Sequence, residues 1–351
     1  MAYTTIDNPG LFFNTVLYTG DDATTRNITG FGFQPDFIWN KARSAAYNHY
    51  LVDAVRGSPG KVLISNLSNA EDNDSGFQNS FKGFVADGNT IGQQSGYEVN
   101  DSGVTYVQWG WKAGGSASSN SNGSITSTVS ANTTAGFSIV SYTGNLTADA
   151  TVGHGLGVAP SMIIIKNRTD SADWFVFHQS LTSNNSVKLN TTDAEFGGAY
   201  IFDSTTSSFK LRDHNVVNGN GDNLIAYCFA EKKGYSKFGS YTGNGSTNGT
   251  FVYTGFKPAF FLWKKTSSTG NWLMMDNKRS TFNFAQTYVK ANANAPEDAT
   301  SSDIRWDFLS NGLKCRGDNS SINSSGATYI FMAFAESPFV TAGTKAPGTA
   351  R

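Results

Sequence analysis

The sequence predicts an all-β protein made of three tandem β-sandwich-like repeat units of jelly-roll or lectin-like type. Two observations carry this reading. One unit recurs three times at fixed offsets, and runs rich in Val, Ile, Phe, Tyr and Thr are broken every several residues by Gly, Asn, Asp and Ser clusters such as Gly219-Asn220-Gly221-Asp222. The 351 residues also suit about two or three domains at roughly 100 to 200 residues each. Charged residues make up only 15% of the chain and aromatics 13%, so it reads as globular rather than disordered, and helix is expected only as short turns.

The repeat begins with Tyr18-Thr19-Gly20, Tyr142-Thr143-Gly144 and Tyr241-Thr242-Gly243. Pro35, Pro160 and Pro258 follow 15 or 16 residues after the glycine, and Lys41, Lys166 and Lys264 stand six residues further on. The stretch between is apolar each time: Phe37-Ile38-Trp39, Met162-Ile163-Ile164-Ile165 and Phe260-Phe261-Leu262-Trp263. Eight residues past the lysine come His49, Trp174 and Trp272; twelve past it come Asp53, His178 and Asp276. Asn66, Asn190 and Asn292 precede Glu71, Glu195 and Glu297 by five residues. Each copy closes on Asn-x-x-Gly (Asn100/Gly103, Asn218/Gly221, Asn323/Gly326), with Trp111, Phe229 and Phe334 eleven residues after the asparagine.

These offsets divide the chain into unit 1 with an N-terminal arm (1–114), a Gly/Ser/Asn/Thr linker (115–135), unit 2 (136–235), unit 3 (236–336) and a C-terminal arm (337–351). The linker composition predicts a flexible tether with unit 1 hinged and units 2 and 3 docked, and both arms are expected to be extended and free or partner-bound. Within unit 1, Val107, Trp109 and Trp111 alternate with Tyr106, Gln108 and Gly110, as for a strand with one buried face. In unit 3, Tyr329 to Phe334 is apolar throughout, as for a strand covered on both sides.

Net charge is −1, from 26 Lys and Arg against 27 Asp and Glu, which lacks the basic footprint of a nucleic-acid binder. No apolar run approaches the ~18 residues of a spanning helix, and the N-terminus has no secretory leader pattern, so the expectation is synthesis in a cytoplasm without membrane insertion. Cys228 and Cys315 are read as reduced, with Cys228 packed as a small hydrophobe in an apolar strand.

The sharpest chemical pattern is the recurring polar set Lys41, Asp53 and Glu71; Lys166, His178 and Glu195; Lys264, Asp276 and Glu297. Converging carboxylates offer calcium binding or acid–base chemistry. Recurrence favours a structural role, in which lysine and glutamate pair within each unit, because a single active site would break the repeat. The acidic run Glu71-Asp72-Asn73-Asp74 lacks the EF-hand glutamate, position 83 being glycine, so calcium is left only as a weak alternative. The four histidines have no zinc spacing and no Gly-x-Ser-x-Gly elbow accompanies them; no catalytic residue, cofactor or metal is expected. Trp109, Trp111, Trp174, Trp263 and Trp272 offer a sugar-stacking platform, with core packing favoured by their apolar-strand positions. Arg316-Gly317-Asp318 reads as a turn inherited from the repeat.

The combined pattern, Tyr-Thr-Gly, GFGFQPDFIWNKAR, VNDSGVTYVQWGWKAGG and TYIFMAFAESPF, resembles a domain of unknown function that recurs in virion structural proteins of tailed phages, especially those of marine and freshwater cyanobacteria. The similarity covers nearly the whole chain. Unit 1 carries it most fully, and unit 2 departs from it at His178 and around Phe209-Lys210-Leu211. The resemblance implies a non-enzymatic part of the particle surface, a tail fibre or similar appendage or a capsid decoration, with other virion proteins and further copies of itself as partners. A lectin-like adhesin for host surface polysaccharide is the alternative, and a polysaccharide depolymerase a more distant one.

Overall fold

The computed structural model describes residues 3–57, 60–72, 75–341 and 349. Strand accounts for 43% of it and helix for 4%, in several antiparallel sheets, so the all-β sandwich expectation is met.

Each unit pairs a large inner sheet with a three-stranded outer one. In unit 1 the inner order is Phe13–Thr19, Thr105–Trp111, Phe37–Ala42, His49–Asp53, Leu63–Ile64, and the outer order is Arg26–Thr29, Gly88–Ile91, Phe81–Val85. Unit 3 repeats this with Ser236–Thr242, Thr328–Pro338, Phe256–Lys265, Trp272–Asp276, Val289–Lys290 inside and Phe251–Tyr253, Gly312–Cys315, Trp306–Leu309 outside. Unit 2 follows with Phe137–Thr143, Asn223–Phe229, Met162–Asn167, Phe175–His178, Asn185–Lys188 inside and Ala150–Gly153, Ser208–Leu211, Ile201–Phe202 outside. Its inner sheet gains Phe196–Gly197 at one edge and Ser127–Asn132 and Ser118–Asn120 at the other.

The central inner strands are mainly apolar because both of their faces are buried, whereas Phe13–Thr19 and Ser236–Thr242 at the sheet edges alternate buried and exposed positions. In Met162–Asn167, Ile163 and Ile165 face the private core of unit 2, while Met162 and Ile164 face a core shared by all three units. In Phe256–Lys265, Phe261 and Trp263 face inward to unit 3 and Phe260 and Leu262 to the shared core. The Thr105–Trp111 strand, expected to bury one face, buries two: Val107, Trp109 and Trp111 join the shared core, and Tyr106 the private one. Its polar-looking face is deceptive, because Gly110 is the space that Phe31 occupies, a Cβ there falling 2.4 Å from the ring. At the centre, Trp111, Phe229 and Phe334 meet pairwise with ring centroids 6.4, 5.8 and 6.1 Å apart, one aromatic from each unit about a pseudo-threefold axis.

The terminal signatures of the repeat explain one another. Tyr18, Tyr142 and Tyr241 donate their hydroxyls to the carbonyls of Val99, Val217 and Ile322 at 2.7, 2.7 and 2.9 Å. Those carbonyls immediately precede Asn100, Asn218 and Asn323, whose buried amide oxygens accept from the backbone just past each Tyr-Thr-Gly. Gly20, Gly144 and Gly243 pack so closely on that turn that a Cβ would fall 2.1 to 2.3 Å from a carbonyl oxygen.

Three segments differ from expectation. The proposed tether at 115–135 contains two strands, Ser127–Asn132 pairing onto Phe137–Thr143 and Ser118–Asn120 pairing onto Ser127–Asn132, and Ala113, Ala135 and the inner face of unit 1 share one core with units 2 and 3. In Ser127–Asn132 Thr128 is exposed while Ser127, Val129 and Ser130 are buried, so a composition typical of flexible chains suits a strand near the sheet edge with one partly wet face. The N-terminal arm is anchored: Ile6 is buried in the shared core, Pro9–Leu11 forms a single 3-10 turn, and the Tyr3 hydroxyl donates to Gly255 O. The C-terminal arm begins later than expected, since Ser337 and Pro338 pair with Lys257 and Phe256, and Phe339 packs on Tyr3 with ring centroids 6.2 Å apart. Residues 342–348, 350 and 351 of that arm lie outside the described residues.

Candidate functional site

The recurring polar residues line the three seams where unit meets unit: the lysines reach one way around the axis, and Asp53, His178, Asp276, Glu71 and Glu297 reach the other. Lys41, Lys166 and Lys264 sit on the central strand of their sheets with no solvent exposure. They do not pair with the glutamates. Lys41 Nζ donates to Ala42 O, Tyr47 O and, in unit 3, Asn294 O at 2.8, 2.9 and 3.1 Å. Lys166 Nζ reaches Ser68 O of unit 1 at 3.2 Å, and Lys264 Nζ reaches Thr192 O of unit 2 at 2.9 Å. With carbonyls as its hydrogen-bond partners, each lysine loses more through burial than the carboxylates nearby return, and burial pushes all three down to about 8.

One position further along the seam, His49, Trp174 and Trp272 each donate a ring N–H to a carbonyl of the neighbouring unit: Lys290, Ile64 and Lys188, at 3.0, 3.0 and 2.8 Å. Trp39 Nε1 donates to His49 Nδ1, which fixes the neutral tautomer that this role needs. Burial, with Lys41 close by, holds His49 well below its ordinary range.

The next layer couples Asp53, His178 and Asp276 to the strand ending at the axis. Asp53 accepts from the Tyr227 hydroxyl of unit 2 at 2.8 Å, and Asp276 accepts from Trp109 Nε1 of unit 1 at 3.1 Å. At the equivalent place in unit 3 stands Met332, which has nothing to donate, and the residue facing that seam is His178. The histidine accepts from Ser180 N at Nδ1 and places Nε2 3.0 Å from Phe331 O. Burial lowers it to about 4, so it is neutral and needs no counter-ion.

The glutamates show the same pattern of two seams alike and one different. Glu71 takes a fork from Arg168 of unit 2 at 2.8 Å on both oxygens, and Glu297 takes one from Arg43 of unit 1 at 3.0 Å on both. Arg56 and Arg279 tie those same glutamates, at 3.1 and 3.2 Å, to Asp53 and Asp276. Burial alone raises the Glu71 carboxyl, but Arg168 and Arg56 outweigh it and hold it below the usual carboxylate range. In the third seam Thr266 replaces the forked arginine and Leu181 the second one, and Glu195 turns back to Thr182 N and Oγ1 at 3.0 and 2.8 Å. All three glutamates keep their backbone bond across the seam, to Arg168, Arg43 and Thr266 carbonyls.

The expected lysine–glutamate pair within each unit is therefore replaced by arginine–glutamate pairs between units. Sequence reasoning passed over Arg43, Arg168, Arg56 and Arg279. Their signal was present: an arginine stands two residues after the lysine in two copies, and three residues after the aspartate wherever there is an aspartate. With both arginines on it, Glu71 has no oxygen to spare for calcium, and Asn73 and Asp74 lie outside the described residues. Among the described residues no group of three or more His, Cys, Asp or Glu is placed to hold a metal ion. Trp109, Trp111, Trp174, Trp263 and Trp272 are all interior, each at most 1% exposed, so none is placed to stack on a sugar.

The odd seam borders a cleft of about 690 Å³ in unit 2. Its walls include Phe177, Ser183, Asn185, Phe202, Asp203 and Arg212. Arg212 lies 5.4 Å from the Tyr200 ring centroid, and Asp203 pairs with Lys210 at 2.9 Å. Elsewhere, exposed aromatics gather on unit 3. Phe251 and Tyr253 project from its outer sheet at 42% and 56% exposure, and Phe282 and Phe284 flank the opposite edge at 81% and 51%. Asn283, between them, bonds Phe308 N and O at 2.9 and 3.2 Å, fastening the pair to that sheet.

No curated protein matches the chain. A family model does match, over residues 8–338, and therefore spans all three units together rather than one of them. The chain thus belongs to the family described as Domain of unknown function (DUF7483).

Proposed function

We propose that this chain is a non-enzymatic structural protein of the tailed-phage particle surface, a tail fibre or appendage component or a capsid decoration, made in the bacterial host cytoplasm and assembled onto the virion. The observation that carries the reading is the use of the recurring ionisable residues: Lys41, Lys166, Lys264, Glu71, Glu297, Asp53 and Asp276 all hold unit to unit, leaving none of them free for catalysis. A shared core, three private cores and closed seams suit a rigid building part. The resemblance of the sequence to virion structural proteins points the same way.

Assembly needs a contact face, and the exposed aromatics at the two edges of unit 3's outer sheet supply one. At the corresponding outer strands, unit 1 has Asn27 and Thr29 flanking Ile28, and unit 2 has Thr151 and Gly153 flanking Val152, where unit 3 has Phe251 and Tyr253 flanking Val252. Exposed aromatics on one unit and not at the same strand of the other two mark that unit's outer sheet as the interaction surface. Mass spectrometry of purified particles tests the proposal, and immunogold electron microscopy distinguishes tail from capsid. Absence of the polypeptide from particles sinks it. Phe282→Asp with Phe284→Asp should leave the far-ultraviolet spectrum unchanged and abolish incorporation.

A further inference from the structure

We infer that the cleft of unit 2 is a saccharide-binding site for an acidic sugar, with Arg212 taking the carboxylate. The other two units serve as internal controls. In units 1 and 3 the residue three positions past the aspartate is an arginine that closes the seam onto a glutamate, whereas unit 2 has Leu181 there and Glu195 has turned away to Thr182. Unit 2 also adds the Phe196–Gly197 strand, which pairs with Asn185–Lys188. The cleft of about 690 Å³ lies beside these changes, and that volume falls within the roughly 300–1,000 Å³ typical of small-ligand sites.

Its chemistry favours a sugar acid. The Arg212 side chain makes no hydrogen bond or ion pair to any described residue, and its guanidinium lies against the Tyr200 ring. A planar fork of donors held in place without an acceptor suits a carboxylate taken through two parallel hydrogen bonds. The side chains of Ser183 and Asn185 also lack a hydrogen-bond partner among the described residues, which leaves a hydroxyl and an amide for sugar hydroxyls. Phe177 and Phe202, both half-buried, offer apolar surface for the C–H face of a ring. Asp203 does not repel the ligand as a bare charge would, because Lys210 neutralises it.

The experiment is calorimetric titration of the full chain with tetragalacturonate, maltotetraose of equal length, and sodium sulfate. We expect saturable binding of tetragalacturonate, at least about tenfold weaker binding of maltotetraose, and loss of about tenfold or more in affinity for tetragalacturonate with Arg212→Ala. Phe202→Ala, which leaves the guanidinium in place, should weaken both sugars alike. Absence of saturable binding up to ~10 mM overturns the inference, as does binding indifferent to Arg212→Ala in a variant with unchanged circular dichroism. Sulfate competing as well as the sugar acid overturns the saccharide assignment and leaves an anion site only. The result is independent of particle location, so failure here leaves the structural reading untouched.

Discussion

The three seam lysines make an unusual demand on pH. Each ammonium is buried among carbonyls with its pKa pushed down to about 8 from 10.5. Between those two values the unfolded chain holds a proton that the folded chain has released, so the unfolded state binds more protons and stability rises with pH. The neutral amine keeps two N–H donors for its carbonyls. At 1.36 kcal/mol per pH unit, each lysine changes stability by roughly 3 kcal/mol across the window, and the three together give a slope near 4 kcal/mol per unit at its steepest. Above pH 10 the sign reverses. Burial holds Tyr18, Tyr142, Tyr227 and Tyr241 well above 10.0, so the unfolded chain loses phenolic protons that the folded chain retains. Urea midpoints measured from pH 7.5 to 11 should therefore climb to a maximum near pH 10 and then fall. Lys264→Met should remove about a third of the rise while leaving the fall intact. A midpoint that is flat or declining from pH 8 to 10, or a rise of equal size in Lys264→Met, refutes the assignment of these lysines as uncompensated buried charges.

On the acid side, His49 and His178 are held neutral below their ordinary 6.5, so stability should be complete above pH 6.5 and drain away as pH falls toward 4; His178→Gln should reduce that loss in urea titrations. The two kinds of seam should respond differently to neutralisation. Glu71→Gln, which strips Arg168 of its fork and Arg56 of one partner, should cost about 2–4 kcal/mol, whereas Glu195→Gln should cost less than about 1 kcal/mol; equal losses in denaturant titration would contradict the geometry. Phe334→Ala should cost about 3–5 kcal/mol and lower a single cooperative transition, because its ring touches units 1 and 2 at the axis; a calorimetric trace that splits into separate unit transitions would argue against one shared core. Excised unit 1, residues 8–114, holds both halves of the common seam in Arg43 with Glu71 and Asp53 with Trp109. It should sediment as a homotrimer, and a well-folded monomer would count against the seam chemistry.

Much of the fold was readable because the repeat set so many offsets. Tyr18, Asn100 and Gly20 recur together since one hydrogen-bonded turn needs all three, and the short strand period followed from Gly/Asn/Asp punctuation. The seams were not readable in the same way. A lysine and a glutamate at fixed spacing suggest a pair within one copy, and nothing in a linear pattern reveals that Glu71 faces Arg168 of the next copy, 97 residues away. The tether was misread for a related reason. Composition reports the solvent-facing residues of Ser127–Asn132, while its place in the sheet is set by the waiting edge of Phe137–Thr143. Ile6 stands between Thr5 and Asp7 with no apolar period around it, and only the folded structure shows it as part of the shared core. The cleft of unit 2 had a faint signature, since it lies where His178, Leu181 and Thr266 depart together from the pattern of the other copies.

Joining three units in one polypeptide alters what mutation can do. In a trimer of identical chains, every change on a face appears three times, and any new contact is copied around the axis whether or not a partner waits there. Here the pseudo-threefold axis of Trp111, Phe229 and Phe334 keeps the symmetric architecture while leaving each outer surface under separate genetic control. Phe251 and Tyr253 have no aromatic counterpart at the corresponding strands of the other units, and Arg212 lacks an ion pair among the described residues where its counterpart Arg316 is tied to Asp307. Such a molecule can meet one neighbour on one side, face the medium on another, and occupy a position in a larger assembly that has no threefold symmetry of its own.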